Sequence, residues 1–252
     1  MRYLGKMSRY APASSISYSF GPGPITPAVK WIIIVNVVVF VITTFVGRVA
    51  FEYFGLIPEQ VIEHGWLWQL ATYMFFHAGV WHILFNMLGV WMFGVSLEQR
   101  WGTTFFLKYY AVSGLGGAVT LLLISLLPFS ATAPAYDTMT VGASGALFGL
   151  LLAYALYWPE RPIMLLLVFV PARIFVMIYG GIALLNTFQP SRGIADAAHL
   201  GGLIFGYLYL RGGRGGLAAE IKYRYLKWKM NRLRRKFDVY SGGRSDWNGK
   251  IH

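Results

Sequence analysis

Residues 141–149 read Val-Gly-Ala-Ser-Gly-Ala-Leu-Phe-Gly and place one serine, Ser144, among small residues at the start of an apolar run. No charged residue lies between Asp137 and Glu160, so Ser144 lies in or beside hydrocarbon. At the first turn of a packed membrane helix, unpaired N–H groups and the positive end of the helix dipole favour a nucleophile. The alternative is that Ser144 only caps the helix, while its glycines let another helix approach.

The composition is that of a polytopic membrane protein. Hydrophobic residues make up 56% of the 252 and charged residues 13%, whereas soluble chains carry roughly 25% charged residues. Cysteine is absent, which excludes disulfides, a thiolate nucleophile and cysteine metal ligands. Much of the net charge of +12 lies in residues 211–252, which hold twelve Lys or Arg and three Asp or Glu. The charge therefore does not indicate a nucleic-acid partner.

Six apolar runs predict six membrane-spanning helices, since about 20 residues cross a bilayer. They cover about 28–46, 81–97, 104–127, 142–157, 163–188 and 195–210. A cleaved signal peptide is the alternative for the first run, but its apolar core would be shorter and more spans follow. In the fifth run, Arg173 falls near the middle or at a break after Pro171.

Residues 48–80 are too polar to span and too aromatic for a free linker. Amphipathic aromatic side chains favour the membrane interface, so we expect this outer loop to be embedded in the headgroup layer. The N-terminal tail, the loops at 98–102 and 158–162, and the C-terminal tail form the more basic set of connections. This bias predicts that they share the cytoplasmic side, with both termini inside, in a multi-pass protein of the cell inner (plasma) membrane.

These spans divide the chain into a tail at 1–27, a helical core at 28–211 and a basic tail at 212–252. Between Gly216 and Phe237 the second tail interleaves apolar and basic residues at helical spacing. That pattern is typical of a basic amphipathic helix on anionic lipid. The alternative is that its charge only fixes the topology; RNA binding is less favoured than either.

Two faces of small residues predict close packing of the fourth and sixth helices. They carry Gly142, Gly145, Gly149 and Ala153 on the fourth helix, and His199, Gly202 and Gly206 on the sixth. If the helices pack along these faces, Ser144 and His199 come within hydrogen-bonding distance near the outer membrane face. They would supply a nucleophile and a general base. The alternative for His199 is a histidine packed against a neighbouring helix.

Further polar residues extend this candidate site. Asp196, one turn before His199, either orients the histidine or, as we favour, caps the sixth helix. His82 and Asn86 lie on one face of the second helix and could donate to a developing oxyanion, or only join two helices. Neither a metal nor a cofactor is expected, since no glutamate completes an H-E-x-x-H pattern. His64 and His77, in the outer loop, are expected to be structural or solvated.

Three motifs together make the chain resemble the rhomboid family of intramembrane serine proteases. They are Gly142-Ala143-Ser144-Gly145, Ala198-His199 followed by Gly202 and Gly206, and His82-Ile83-Leu84-Phe85-Asn86. Glu98 and Arg100, followed by Gly102, also resemble that family's segment after the second helix. The resemblance covers about residues 28–211.

The resemblance implies an all-α membrane protein, a six-transmembrane-helix bundle with a Ser144–His199 dyad at the floor of a water-filled cavity. It also implies that His82 and Asn86 line an oxyanion site and that Phe148 stacks on His199, where some members have tyrosine. Phe85 would pack toward a mobile fifth helix that admits substrates.

Family members cut transmembrane segments of other proteins near their outer ends. Trp68-Gln69 stands where many members have Trp-Arg, which leaves the anchoring of the outer loop open. An inactive relative that binds membrane clients and a transporter using Arg173 are the alternative functions.

Overall fold

The computed structural model describes residues 22–130, 132–165, 168–187, 189, 193–212, 226–230 and 232. Most of both predicted tails, including most of the expected amphipathic helix between Gly216 and Phe237, lies outside these residues. The helices are α1 (Pro27–Val46), α2 (Arg48–Phe54), α3 (Pro58–His64), α4 (Gln69–Thr72), α5 (Val80–Trp101), α6 (Thr103–Ser125), α7 (Ser144–Tyr157), α8 (Ala172–Asn186) and α9 (Gly193–Gly212). Short 3₁₀ turns lie at Tyr73–Phe75 and Ala133–Ala135, and two strands, β1 (Pro162–Leu165) and β2 (Val168–Pro171), form a hairpin.

The described chain is largely helical, which confirms the predicted all-α class. Helices α1, α5 and α6 are each long and apolar enough to cross a membrane. Helix α9 has 20 residues, whereas α7 and α8 have 14 and 15. Helix α9 packs most extensively on α6 and α7, and α1 packs on α5. That all six core helices, α1 and α5–α9, cross a membrane stays a prediction.

In the described part of the chain, connecting segments contact one another at two separate ends of the bundle. At one end the Thr26 hydroxyl donates to Glu98 near the end of α5, and the Arg100 guanidinium lies 4.2 Å from the centre of the Tyr157 ring. At the other end Leu56 and Thr140 exchange backbone hydrogen bonds of 2.9 and 2.8 Å. The outer loop therefore lies against the segment that leads into α7.

Gln69 anchors the outer loop from within. Its side chain is fully buried and joins separate turns of the loop. The Ile57 N–H donates to Gln69 Oε1 at 3.0 Å, while Gln69 Nε2 donates to the Glu52 carbonyl oxygen at 3.2 Å. Beside it, the Trp68 indole N–H donates to the Tyr53 carbonyl oxygen at 2.9 Å. Trp68 and Gln69 thus hold separate turns of the outer loop together.

The expectation of a continuous fifth span from residue 163 is wrong. Residues 162–165 and 168–171 are paired antiparallel strands instead, with Pro162 opposite Pro171. Proline has no N–H and disfavours the helical conformation in the residue before it, so an apolar run bounded by two prolines need not be helical. Helix α8 begins after Pro171, at the break named as an alternative. Arg173 is consequently in the first turn of α8, where it is exposed and pairs with Glu160 at 2.7 Å, which weakens its case as the solute-binding charge of a transporter.

Glu98 joins three helices at the end of the bundle remote from Ser144. Its carboxylate is 3% exposed and accepts the N–H groups of Ala28 and Val29 at 2.9 and 3.1 Å. These are N–H groups of the first turn of α1, which have no intrahelical partner. The Thr103 hydroxyl at the start of α6 donates to the same carboxylate at 2.7 Å. One side chain of α5 therefore caps α1 and fixes the α5–α6 corner.

Replacing Glu98 by glutamine should destabilise the protein by roughly 2–4 kcal/mol, because hydrogen bonds to a charged group contribute about 1.5–3 kcal/mol each and relaxation recovers part of the loss. Thermal unfolding in detergent measures this. Glu52→Gln is the matched control, since Glu52 forms an exposed pair with Arg48 and should change the melting temperature little. Equal melting temperatures for Glu98→Gln and Glu52→Gln would contradict the assigned role.

Candidate active site

Ser144 is the first residue of α7, two residues after Gly142. Gly142 has φ +123°, a conformation that side chains rarely adopt, and a Cβ there would lie 2.6 Å from His82 Nε2. The helix thus begins at Ser144, rather than at Gly142 as predicted, because the chain turns sharply at this glycine. The N-cap is Ala143, and no side chain caps the helix. The interpretation of Ser144 as a cap is therefore wrong.

The side chain of Ser144 contacts His199 instead. Ser144 Oγ lies 2.7 Å from His199 Nε2, within the range of a hydrogen bond. The His199 ring stacks on Phe148, with the ring centres 4.2 Å apart and the planes 3° from parallel. Phe148 is one turn after Ser144. Helix α7 therefore provides both the hydroxyl that contacts Nε2 of His199 and the aromatic ring that stacks on the imidazole. The rotation of the ring is thereby restricted.

The backbones of α7 and α9 approach closely enough to bring these residues together. A Cβ on Gly202 would overlap the carbonyl oxygen of Gly145, and one on Gly149 would lie 3.2 Å from the carbonyl oxygen of Gly202. Gly206 faces α6, since a Cβ there would lie 2.6 Å from the Tyr109 hydroxyl. Glycines on α9 therefore allow both α7 and α6 to pack closely against this helix.

Asp196 does not make the cap interaction that the sequence favours. Helix α9 begins at Gly193, so Asp196 lies within its first turn. Its Oδ1 atom lies 3.3 Å from His199 Nδ1. The imidazole thus has an oxygen at both nitrogens, Ser144 on one side and Asp196 on the other.

His82 and Asn86 lie on the side of α5 that faces this region. The N–H of Ala78 donates to His82 Nδ1 at 3.3 Å, so the proton of a neutral ring is on Nε2, beside Gly142. Asn86 Nδ2 donates to the His82 carbonyl oxygen at 2.8 Å. An amide nitrogen carries two protons, so one N–H of Asn86 remains for another acceptor.

His77 supports the segment before Ser144, a role that the sequence reasoning missed. Its side chain is 1% exposed, and the Ala143 N–H donates to its Nε2 in a long hydrogen bond of 3.5 Å. One residue earlier, the Gly142 N–H donates to the Tyr73 carbonyl oxygen at 2.9 Å. No spacing signal links His77 to residues so far along the chain. The outer loop thus holds the turn that presents Ser144.

Two other candidates lie outside this cluster. Phe85 is 62% exposed on α5 and stacks on Trp81 of the same helix. His64 is exposed in the outer loop, with its ring 6.3 Å from that of Trp66. In the described part of the chain, no group of three or more His, Asp or Glu side chains is placed to hold a metal ion.

Comparison with known proteins identifies one family. The Rhomboid domain model matches residues 64–213. RHOMBOID-like protein 7 of Arabidopsis thaliana is 32% identical over 51% of this chain and 50% of its own. Rhomboid protease GluP of Bacillus subtilis is 32% identical over 61% of this chain and 27% of its own. Rhomboid protein 1, mitochondrial, of Saccharomyces cerevisiae is 35% identical over 54% of this chain and 38% of its own. The chain thus spans half or less of the length of these three relatives.

His77 should make the stability of the protein depend on pH. Burial, and secondarily the neighbouring His82, lowers the pKa of His77 from 6.5 to about 4. The unfolded chain then takes up a proton at higher pH than the folded one, so this contribution is complete above pH 6.5 and is lost as the pH falls towards 4. The loss should reach roughly 3 kcal/mol.

Thermal unfolding in detergent across this pH range tests the prediction. His77→Gln keeps an acceptor for the Ala143 N–H but does not titrate, so its melting temperature should fall less steeply with acidification. His64→Gln, at an exposed histidine, should keep the wild-type slope. Parallel curves for the wild type and His77→Gln would rule this source of pH dependence out.

Proposed function

We propose that this chain, which belongs to the rhomboid family, is an intramembrane serine protease that cleaves transmembrane segments of other membrane proteins near their extracytoplasmic ends. It is a multi-pass membrane protein with several membrane-capable helices. The observation that carries the proposal is the 2.7 Å distance between Ser144 Oγ and His199 Nε2. A serine and a neutral imidazole at this distance are the parts of an activated nucleophile.

In the proposed reaction, Ser144 Oγ attacks the scissile carbonyl carbon while His199 Nε2 takes the hydroxyl proton. The tetrahedral intermediate collapses, the C–N bond breaks, and His199 returns the proton to the leaving amine. A water molecule then attacks the acyl-serine ester, again losing a proton to His199, and the hydroxyl of Ser144 is restored. Both the nucleophile and the base come from helices that are fixed by packing, so little rearrangement is needed.

The oxyanion of each tetrahedral intermediate needs hydrogen-bond donors. Three groups are candidate donors: the Nε2–H of His82, which lies beside Gly142, the second N–H of Asn86, one turn further along α5, and the backbone N–H of Ser144. The last belongs to the first turn of α7, where the helix dipole also favours negative charge. We propose that these donors form the oxyanion site and that Phe85, exposed on the same helix, contacts incoming substrates.

The remaining assignments rest on the distribution of basic residues and on membership of the rhomboid family. We propose that residues 28–211 form the protease core, with cytoplasmic tails at 1–27 and 212–252 in the inner membrane of the cell. Its partners would be transmembrane protein substrates and the bilayer, with anionic lipid at the basic second tail.

Fluorophosphonate labelling of the protein in detergent, with cleavage of a transmembrane substrate in liposomes, tests the dyad. Ser144→Ala and His199→Ala should each abolish labelling and cleavage, because one removes the nucleophile and the other its base. Ser125→Ala removes a serine whose hydroxyl donates to the Leu122 carbonyl oxygen of its own helix, and this variant should retain both activities. Wild-type cleavage by either dyad variant would exclude that residue from the mechanism, and a folded wild type inert in both assays would favour an inactive relative.

Asn86→Ala should lower kcat by roughly 10²–10³-fold, as expected for the loss of one oxyanion donor. Asn36→Ala is the matched control, because Asn36 is also buried and donates to the carbonyl oxygen four residues earlier, at 2.8 Å, but lies on α1. The two variants should lose similar stability, and only Asn86→Ala should lose activity. A wild-type kcat for Asn86→Ala would remove Asn86 from the oxyanion site.

A further inference from the structure

We infer that Asp196 is a positioning residue for His199: its carboxylate holds the proton on His199 Nδ1 and so directs the Nε2 lone pair at Ser144. The inference rests on the proposed function, and it extends a two-residue site to a chain of three. The role differs from the helix cap that the sequence favoured.

The geometry supports this role directly. Asp196 Oδ1 lies 3.3 Å from His199 Nδ1, and the two residues are three apart on α9, so one helical face presents both. Each side chain is 18% exposed. Partial burial lowers the effective dielectric constant, which makes a carboxylate more effective there than on an open surface.

The tautomer of His199 gives the carboxylate its function. To accept the proton of Ser144, Nε2 must be unprotonated, so a neutral ring carries its proton on Nδ1. An ionised carboxylate only accepts hydrogen bonds, and Asp196 therefore selects this tautomer. When the ring gains the second proton during the reaction, the same carboxylate stabilises the imidazolium, as the aspartate of a serine-protease triad does.

Groups other than Asp196 make the remaining contacts with the His199 ring. Ser144 and Phe148 face it from α7, and His82 on α5 is the titratable group that interacts with it across the site. Among the described residues around the ring, Asp196 is thus the negatively charged group. A carboxylate in the first turn also favours α9 through the helix dipole. An experiment must separate that structural effect from the effect on His199.

Asp196→Asn removes the charge and keeps the shape of the side chain. It also removes the interaction of that charge with the helix dipole, so thermal unfolding of the variant measures the structural loss separately. We expect kcat to fall by roughly 10- to 100-fold, less than the roughly 10⁴-fold loss for a fully buried triad aspartate. Asp137→Asn, at an exposed aspartate in the loop before α7, is the matched control and should leave the rate unchanged.

A second measurement does not require activity. Nitrogen NMR of the His199 ring in a Ser144→Ala background should show the proton on Nδ1, and adding Asp196→Asn, but not Asp137→Asn, should weaken this tautomer preference. If the wild type cleaves nothing, the proposed function fails and the tautomer alone decides whether Asp196 holds the ring. An unchanged kcat in an active enzyme, or an unchanged tautomer, would overturn the inference.

Discussion

The contact between the backbones of α7 and α9 at Gly145 and Gly202 sets the geometry on which the candidate site depends. A side chain at residue 202 would overlap the Gly145 carbonyl oxygen, so the present helix separation is available only to glycine. In hydrocarbon, the hydrophobic effect does not drive helices to associate, and close van der Waals packing stabilises their contact instead. Because Ser144 precedes this contact by one residue and His199 by three, the packing that holds the bundle also fixes their distance.

Buried backbone N–H groups need partners, and contacts at both ends of the bundle provide them. At one end the Glu98 carboxylate accepts the N–H groups of α1 that a helix start leaves unpaired. At the other end the backbone of residues 140–143 bonds to Leu56, Tyr73 and His77 of the outer loop. The outer loop thus does more than lie at the membrane interface, since it supplies hydrogen-bond partners for the turn that precedes Ser144.

Most of the architecture follows from patterns that a sequence displays. Apolar runs predicted the helices, and glycines at helical spacing on α7 and α9 predicted the contact that aligns Ser144 with His199. The strand pair β1–β2 was missed because its residues are apolar like those of a membrane helix, and the two prolines are the sequence feature that marks it. The contact of His77 joins residues 66 apart, and spacing alone fits Asp196 as a cap or a partner. The direction of a side chain decides which partner it contacts, and a sequence pattern does not give that direction.

The length of α7 explains why so many polar groups gather around Ser144. At about 1.5 Å per residue, its 14 residues extend roughly 21 Å, less than the roughly 30 Å of a hydrocarbon core. If its far end lies at one membrane surface, Ser144 lies well below the other. Polar groups at that depth are costly unless they are paired or hydrated. The partly exposed His199 and Asp196 meet this condition by bonding one another, and the reaction needs water at the same depth. With that placement, a short helix would set the serine at the depth where the proposed reaction needs both a bilayer-embedded peptide bond and water.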